Sequence, residues 1–91
     1  MTVGVKLFAH FRDLFGGRSR TLEVPDGATV REALEALGDT PGRRREIFEG
    51  GGLRPHVVVM VNGVHVLSLR GLETRLAPGD TLAVFPFLAG G

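Results

Sequence analysis

Thr29-Val30-Arg31-Glu32-Ala33-Leu34-Glu35-Ala36-Leu37, residues 29–37, is the segment on which the fold turns. Val30, Ala33, Leu34 and Leu37 recur at i, i+3, i+4 and i+7, a spacing that gathers them into one apolar stripe along a helix. Thr29 and Glu32 stand at the spacing of a capping box, in which the hydroxyl and the carboxylate satisfy free backbone donors at the helix start. Gly38 supplies the stop. A helix that is apolar along one stripe needs a surface to cover, and the flanking sequence predicts a sheet.

Upstream, residues alternate from Thr2: Val3, Val5, Leu7 and Ala9 fall on one face of a strand, with Gly4, Lys6 and Phe8 on the other. His10-Phe11-Arg12-Asp13-Leu14-Phe15 reads as a short helical turn with Phe11, Leu14 and Phe15 on one side, halted by Gly16-Gly17. Alternation returns over residues 18–24, where Leu22 and Val24 share a face, and Pro25-Asp26-Gly27 turns the chain into the helix.

Downstream, Thr40-Pro41 can cap and begin a second short helix anchored by Ile47 and Phe48. Arg43-Arg44-Arg45 does not read as a phosphate or RNA patch: three consecutive residues point around a helix, and Glu46 and Glu49 follow, so a solvated helix surface is expected. Gly50-Gly51-Gly52 lacks the Gly-Lys-Ser/Thr ending of a phosphate loop and is expected to be a turn. His56-Val57-Val58-Val59-Met60-Val61 and Val64-His65-Val66-Leu67 flank Asn62-Gly63, the strongest short-range hairpin signal because both turn residues can take positive φ. The first of these runs has no polar alternation, which predicts an interior strand covered on both faces. Ala77-Pro78-Gly79-Asp80 is a turn, and Thr81-Leu82-Ala83-Val84-Phe85 is the final strand.

The chain then runs out as Pro86-Phe87-Leu88-Ala89-Gly90-Gly91 with no charged side chain. An apolar end is unusual, because termini are ordinarily polar and frayed. A terminal glycine carboxylate can be activated as an acyl-adenylate if a partner enzyme draws it down a narrow channel, and glycine, without a Cβ, suits such a channel. From Pro86 onward six extended residues would reach roughly 20 Å. With 14 glycines among 91 residues, an incidental Gly-Gly stands beside that reading.

Composition narrows the rest. Ninety-one residues, 43% hydrophobic and 23% charged, describe a single domain, 1–91, with 86–91 as a flexible tail. There is no cysteine, hence no disulfide, thiolate metal site or sulfur nucleophile within the chain. His10, His56 and His65 have no metal-site spacing. A net charge of +1 argues against nucleic acid or an anionic membrane as partner. The absence of a signal core or a membrane-length apolar run makes a cytoplasmic location the expectation. The basic residues are ten arginines and one lysine, Lys6. No nucleophile and base pair, metal cluster or phosphate loop points to an independent enzyme.

Taken together, Leu7-Phe8-Ala9-His10-Phe11-Arg12-Asp13-Leu14-Phe15-Gly16, the stretch from Val24-Pro25-Asp26-Gly27 through Leu34, Val61-Asn62-Gly63, Leu76-Ala77-Pro78-Gly79-Asp80, and Phe85-Pro86 through Gly90-Gly91 follow one another in an order that resembles the ubiquitin-like sulfur carriers. The resemblance is to the small subunit of molybdopterin synthase (MoaD) and the ubiquitin-like small modifier proteins, and it spans nearly the whole chain. It implies an α+β fold, the ubiquitin-like β-grasp: a four- to five-stranded mixed sheet packed on one main helix plus short helices, first and last strands side by side, with a projecting Gly-Gly tail.

It further implies that an E1-like adenylating enzyme uses ATP to activate the Gly91 carboxylate, with Gly90 as the other member of the functional pair. A sulfur donor protein then displaces AMP, and the thiocarboxylate delivers sulfur, for molybdopterin through the synthase large subunit. No cofactor is bound permanently. Phe85, Pro86, Phe87, Leu88, Ala89 and Phe8 are the expected partner-binding residues. Where relatives carry Phe-Pro-Pro and a small residue, this chain has Phe85-Pro86-Phe87-Leu88, which leaves the choice of partner open. The alternatives are a modifier joined through Gly91 to lysines of target proteins, a carrier for tRNA thiolation, and a non-covalent β-grasp binding domain.

Overall fold

The computed structural model describes residues 1–87. Strand β1 (Thr2–Leu7) buries Val3, Val5 and Leu7 and is followed by α1 (His10–Phe15), whose Phe11 and Phe15 turn into the same core. Ala9 does not continue the strand face. It caps α1 with φ 54°, ψ −135°, and it is exposed, because the chain reverses here through hydrogen bonds from Phe11 N–H to the Phe8 carbonyl and from Arg12 N–H to the Ala9 carbonyl.

Strand β2 (Ser19–Glu23) pairs antiparallel with β1, setting Leu22 opposite Val3. Helix α2 (Val30–Leu37) has the expected capping box, with the Thr29 side chain accepting from Glu32 N–H. Its four stripe residues are buried and form the centre of the core. Gly38 ends α2 at a negative φ of −80°. What favours glycine there is room, since a Cβ would lie 3.1 Å from the Arg44 Cα.

Helix α3 (Pro41–Ile47) begins at the expected Thr40 cap. Arg44 and Arg45 are exposed as expected, but Arg43 is partly buried and fastens α3 to α1. Its Nε donates to the Leu14 carbonyl at 3.1 Å, and its guanidinium lies 5.7 Å from the Phe15 ring centroid. The glycine run joins β3 (Phe48–Glu49) and β4 (Gly52–Leu53), a two-stranded ribbon too short to leave a periodic signature.

Strand β5 (Val57–Val61) meets β6 (Val64–His65) through Asn62-Gly63, whose φ values of 49° and 83° are the left-handed pair that the hairpin requires. The return strand is only two residues long. The chain then enters 3-10 turns at Val66–Ser68 and Gly71–Glu73, which leaves Leu67 79% exposed.

Strand β7 (Thr81–Pro86) inserts parallel to β1 and antiparallel to β5, giving the order β2-β1-β7-β5-β6. This is the β-grasp: a mixed five-stranded sheet gripping α2, with its first and last strands adjacent. The hairpin turn and the turn before β7 lock together, as Asn62 Nδ2 donates to Asp80 Oδ1 at 2.9 Å and Asn62 Oδ1 accepts from Thr81 N–H at 3.0 Å.

One layer of helices covers one face of this sheet. Strand β5 is interior in pairing, yet only Val59 and Val61 are buried, while Val58 and Met60 are half-buried on the uncovered face. The expectation of cover on both faces is therefore corrected: the apolar run reflects a sheet face left open. Residues 39–53 pack on the helical side, with Ile47 and Phe48 in the core.

Candidate functional site

Strand alternation decides which side chains reach the open face. The odd residues of β1 and the even residues of β7 enter the core, so Lys6 and Phe8 emerge on the opposite side beside Ala83 and Phe85. Phe8 and Phe85 meet edge-on, with ring centroids 6.0 Å apart and planes at 85°, the geometry that sets the positive edge of one ring against the negative face of the other. Together with Ala9, Met60, Ala83 and Pro86 they line a shallow groove of about 430 Å³ whose walls are almost wholly apolar. Arg12 roofs one end: its guanidinium lies 5.9 Å from the Phe8 centroid, and its Nε donates to the Leu7 carbonyl at 3.3 Å.

The end of the sheet is tied further along than the sequence suggests. Pro86, read above as the first tail residue, closes β7 opposite Val57, and Phe87 N–H donates to the His56 carbonyl at 2.7 Å. Proline costs no ladder bond there, because the bond to β5 at this end is made by Phe87 N–H and β1, on the other side of β7, has ended at Leu7. The Phe87 side chain, 57% exposed, lines a neighbouring hollow of about 370 Å³ together with Leu67 and Val58. Val58 is the register partner of Phe85, so the two hollows adjoin across β5 and β7.

Of the residues singled out from the sequence, Phe8, Phe85 and Pro86 are thus brought into one groove and Phe87 into the hollow beside it. Leu88, Ala89, Gly90 and Gly91 lie outside the described residues. Four residues beyond Phe87 can span at most about 14 Å, less than the reach expected from Pro86. Sequence reasoning missed Met60, Ala83, Ala9 and Leu67 as contributors. Val58 and Met60 carried a usable signal, since alternate residues of an all-apolar strand cannot all face the same helix.

Among the described residues no ionisable side chain lines the groove, Arg12 meeting it only through the Phe8 ring. On the helical side, the Asp39 carboxyl is held below its ordinary pKa chiefly by the hydrogen bond from Arg43. Among the described residues no group of three or more His, Cys, Asp or Glu is placed to hold a metal ion, and no helix is long and apolar enough to cross a membrane. What the site offers is exposed apolar surface and shape.

The fold and this open face define a ubiquitin-like carrier or modifier, a class of small proteins that work with E1-like activating enzymes and partner proteins and are not themselves catalysts. The chain belongs to the ThiS family, whose model matches residues 5–91. It is 39% identical to small archaeal modifier protein 3 of Haloferax volcanii over the full length of both chains. The solution structure of small archaeal modifier protein 1 from Methanosarcina acetivorans superposes with a TM-score of 0.85 at 33% identity, covering 99% of this chain and 96% of that one. A Pyrococcus furiosus protein described as a candidate molybdopterin converting factor, subunit 1, matches at TM-score 0.78 and 33% identity over 97% and 99% of the two chains.

Proposed function

We propose that this protein is a sulfur carrier whose Gly91 carboxylate is adenylated and then converted to a thiocarboxylate. A carboxylate oxygen of Gly91 attacks the α-phosphorus of ATP on an E1-like enzyme and releases pyrophosphate. A sulfur donor protein supplies sulfide-level sulfur to the acyl carbon, and AMP departs with the bonding electrons. ATP is a substrate of that enzyme and no cofactor resides on the carrier. The observation that carries the reading is the Phe8–Phe85 groove at the root of an uncharged segment ending in Gly90-Gly91. A partner that seats on the groove gathers its binding energy from the fold, while the residues beyond Phe87 enter its active site.

Molybdopterin synthesis is the favoured destination, with the synthase large subunit as the receiving partner. This rests on the likeness to the Pyrococcus furiosus protein and on the order of motifs along the chain. The dependence on ATP makes the cytoplasm the favoured compartment. A second reading, conjugation through Gly91 to lysines of target proteins, is supported by the likeness to small archaeal modifier protein 3. Both begin with adenylation, as would a carrier for tRNA thiolation.

Incubation with the cognate activating enzyme, ATP and a sulfur source should add the mass difference of one sulfur for one oxygen, localised to Gly91. A competent enzyme that leaves the mass unchanged, or a modification mapped elsewhere, would overturn the carrier reading. Adducts linking Gly91 to lysines of other proteins, without sulfur transfer, would favour conjugation.

A further inference from the structure

Lys6 is the only lysine in the chain. It is exposed on the open face of β1, and its register partner on β7 is Ala83, a residue of the groove wall that Lys6 itself does not line. The other aliphatic amine, that of Met1, is tied down. It donates to the Val24 carbonyl at 2.7 Å and pairs with Asp26 Oδ1 at 3.4 Å, while Val24 N–H returns a bond to the Met1 carbonyl at 2.9 Å. The Met1 side chain packs against the core. Held by these contacts and set beside a buried side chain, the Met1 amine has little open approach for an acyl donor. The ten arginines present guanidinium groups, which are not acyl acceptors under these conditions.

We propose that Lys6 is the acyl-acceptor site of this chain, and that the acyl donor is the activated Gly91 carboxylate of a second copy. The identity of the donor rests on the reading of Gly91 given above; the selectivity for Lys6 does not. The neutral Nζ attacks the carbonyl carbon of the acyl-adenylate, the new C–N bond replaces the C–O bond to phosphate, AMP leaves with the electron pair, and the amine proton passes to water. The product is an isopeptide-linked pair. Because Lys6 stands opposite Ala83, the attached copy lies across the groove of the acceptor. Acylation at Lys6 and docking of a partner on that groove therefore exclude one another, and the acceptor copy leaves the carrier cycle.

The selectivity is tested with the folded full-length chain and a chemical acyl donor, the N-hydroxysuccinimide ester of acetylated Phe-Leu-Ala-Gly-Gly, used at limiting amount and neutral pH with peptide mapping by mass spectrometry. Adducts should form on Lys6 in at least about tenfold excess over Met1, whose amine reacts only when the local structure opens. In concentrated urea, where the Met1 amine is released, labelling should shift strongly toward Met1, because an α-amine is the more readily acylated of the two at neutral pH. Equal or preferential labelling of Met1 in the folded chain overturns the proposal.

In a second arm the chain and its Lys6→Arg variant are incubated with the cognate activating enzyme and ATP. A covalent dimer mapped to Lys6 and Gly91 should form from the parent and be absent from Lys6→Arg, while both support ATP–pyrophosphate exchange. Exchange without a dimer, or a dimer that persists in the variant, overturns the proposal and leaves the carrier reading intact. Absence of exchange from both chains rejects the carrier reading and with it the second copy as donor. The adduct from the first arm should be adenylated far more slowly than the unmodified chain, and an undiminished rate would overturn the exclusion.

Discussion

The ring of Phe8, just past the end of the first strand, meets the ring of Phe85, near the end of the last, edge-on at 6.0 Å on the sheet face that no helix covers. Parallel pairing makes this possible. Because β1 and β7 run in the same direction, they finish at the same end of the sheet, and their outward-facing residues arrive together where the chain leaves the fold.

If that end is a docking surface, Phe8→Asp or Phe87→Asp should leave the isolated protein folded and weaken its complex with the activating enzyme by about 1–3 kcal/mol, the cost of desolvating an unpaired polar group. Titration calorimetry on each variant measures this. Parent-like affinity in both would remove the groove from the interface.

Two phenylalanines close in sequence should behave oppositely toward stability. Phe11 is 1% exposed and Phe8 is 39% exposed, so Phe11→Ala should cost about 3–5 kcal/mol. Phe8→Ala should cost about 1 kcal/mol, chiefly the edge-to-face contact. Urea unfolding of the two variants gives the comparison, and equal losses would mean that Phe8 belongs to the core.

Deleting Gly90 and Gly91 should abolish adenylation while leaving the thermal midpoint nearly unchanged, since glycine contributes no side chain to bury. Scanning calorimetry and an ATP–pyrophosphate exchange assay separate the two effects. A large fall in the midpoint would assign these residues a structural role.

Ala9 holds φ 54°, ψ −135°, a backbone region suited to glycine and costing other residues about 1–3 kcal/mol. Ala9→Gly should relieve that strain and lose about 0.4–1 kcal/mol to the greater freedom of the unfolded chain. A net gain near 1 kcal/mol is expected in chemical denaturation. Destabilisation would show that the strain is not there to relieve.

The Asp39 carboxylate accepts from Arg43 Nη1 at 2.9 Å, which holds its pKa below the ordinary value. A carboxyl depressed in the folded state stabilises above its unfolded pKa, and that contribution is lost as pH falls through the folded value. Asp39→Asn should therefore lower the midpoint slightly at neutral pH and converge with the parent in acid. Because the site is exposed, added salt should shrink the neutral-pH difference. A gap that widens in acid would contradict the linkage.

Much of this architecture was legible in the chain because it is local. The stripe Val30, Ala33, Leu34 and Leu37, the Thr29 and Glu32 cap and the Asn62-Gly63 turn each depend on residues within a few positions of one another. Periodicity and cap chemistry report such elements directly. The order of these elements, with the Phe85-Pro86 and Gly90-Gly91 motifs, also carried the resemblance to ubiquitin-like carriers.

Tertiary structure decided what depends on distant residues. The unbroken apolar run signals that β5 has two apolar faces, but that Val58 and Met60 are on the face left uncovered follows from a single helical layer covering the other side of the sheet. That Pro86 belongs to β7 follows from Val57, far away in sequence, standing opposite it. The engagement of the Met1 amine depends on Val24 and Asp26, and the exposure of Lys6 beside the groove depends on β7 entering next to β1. The physical reason is common to all of them: a strand's own residues set its alternation, but which of its two faces meets a helix, and which strand lies alongside, are set only when the sheet assembles.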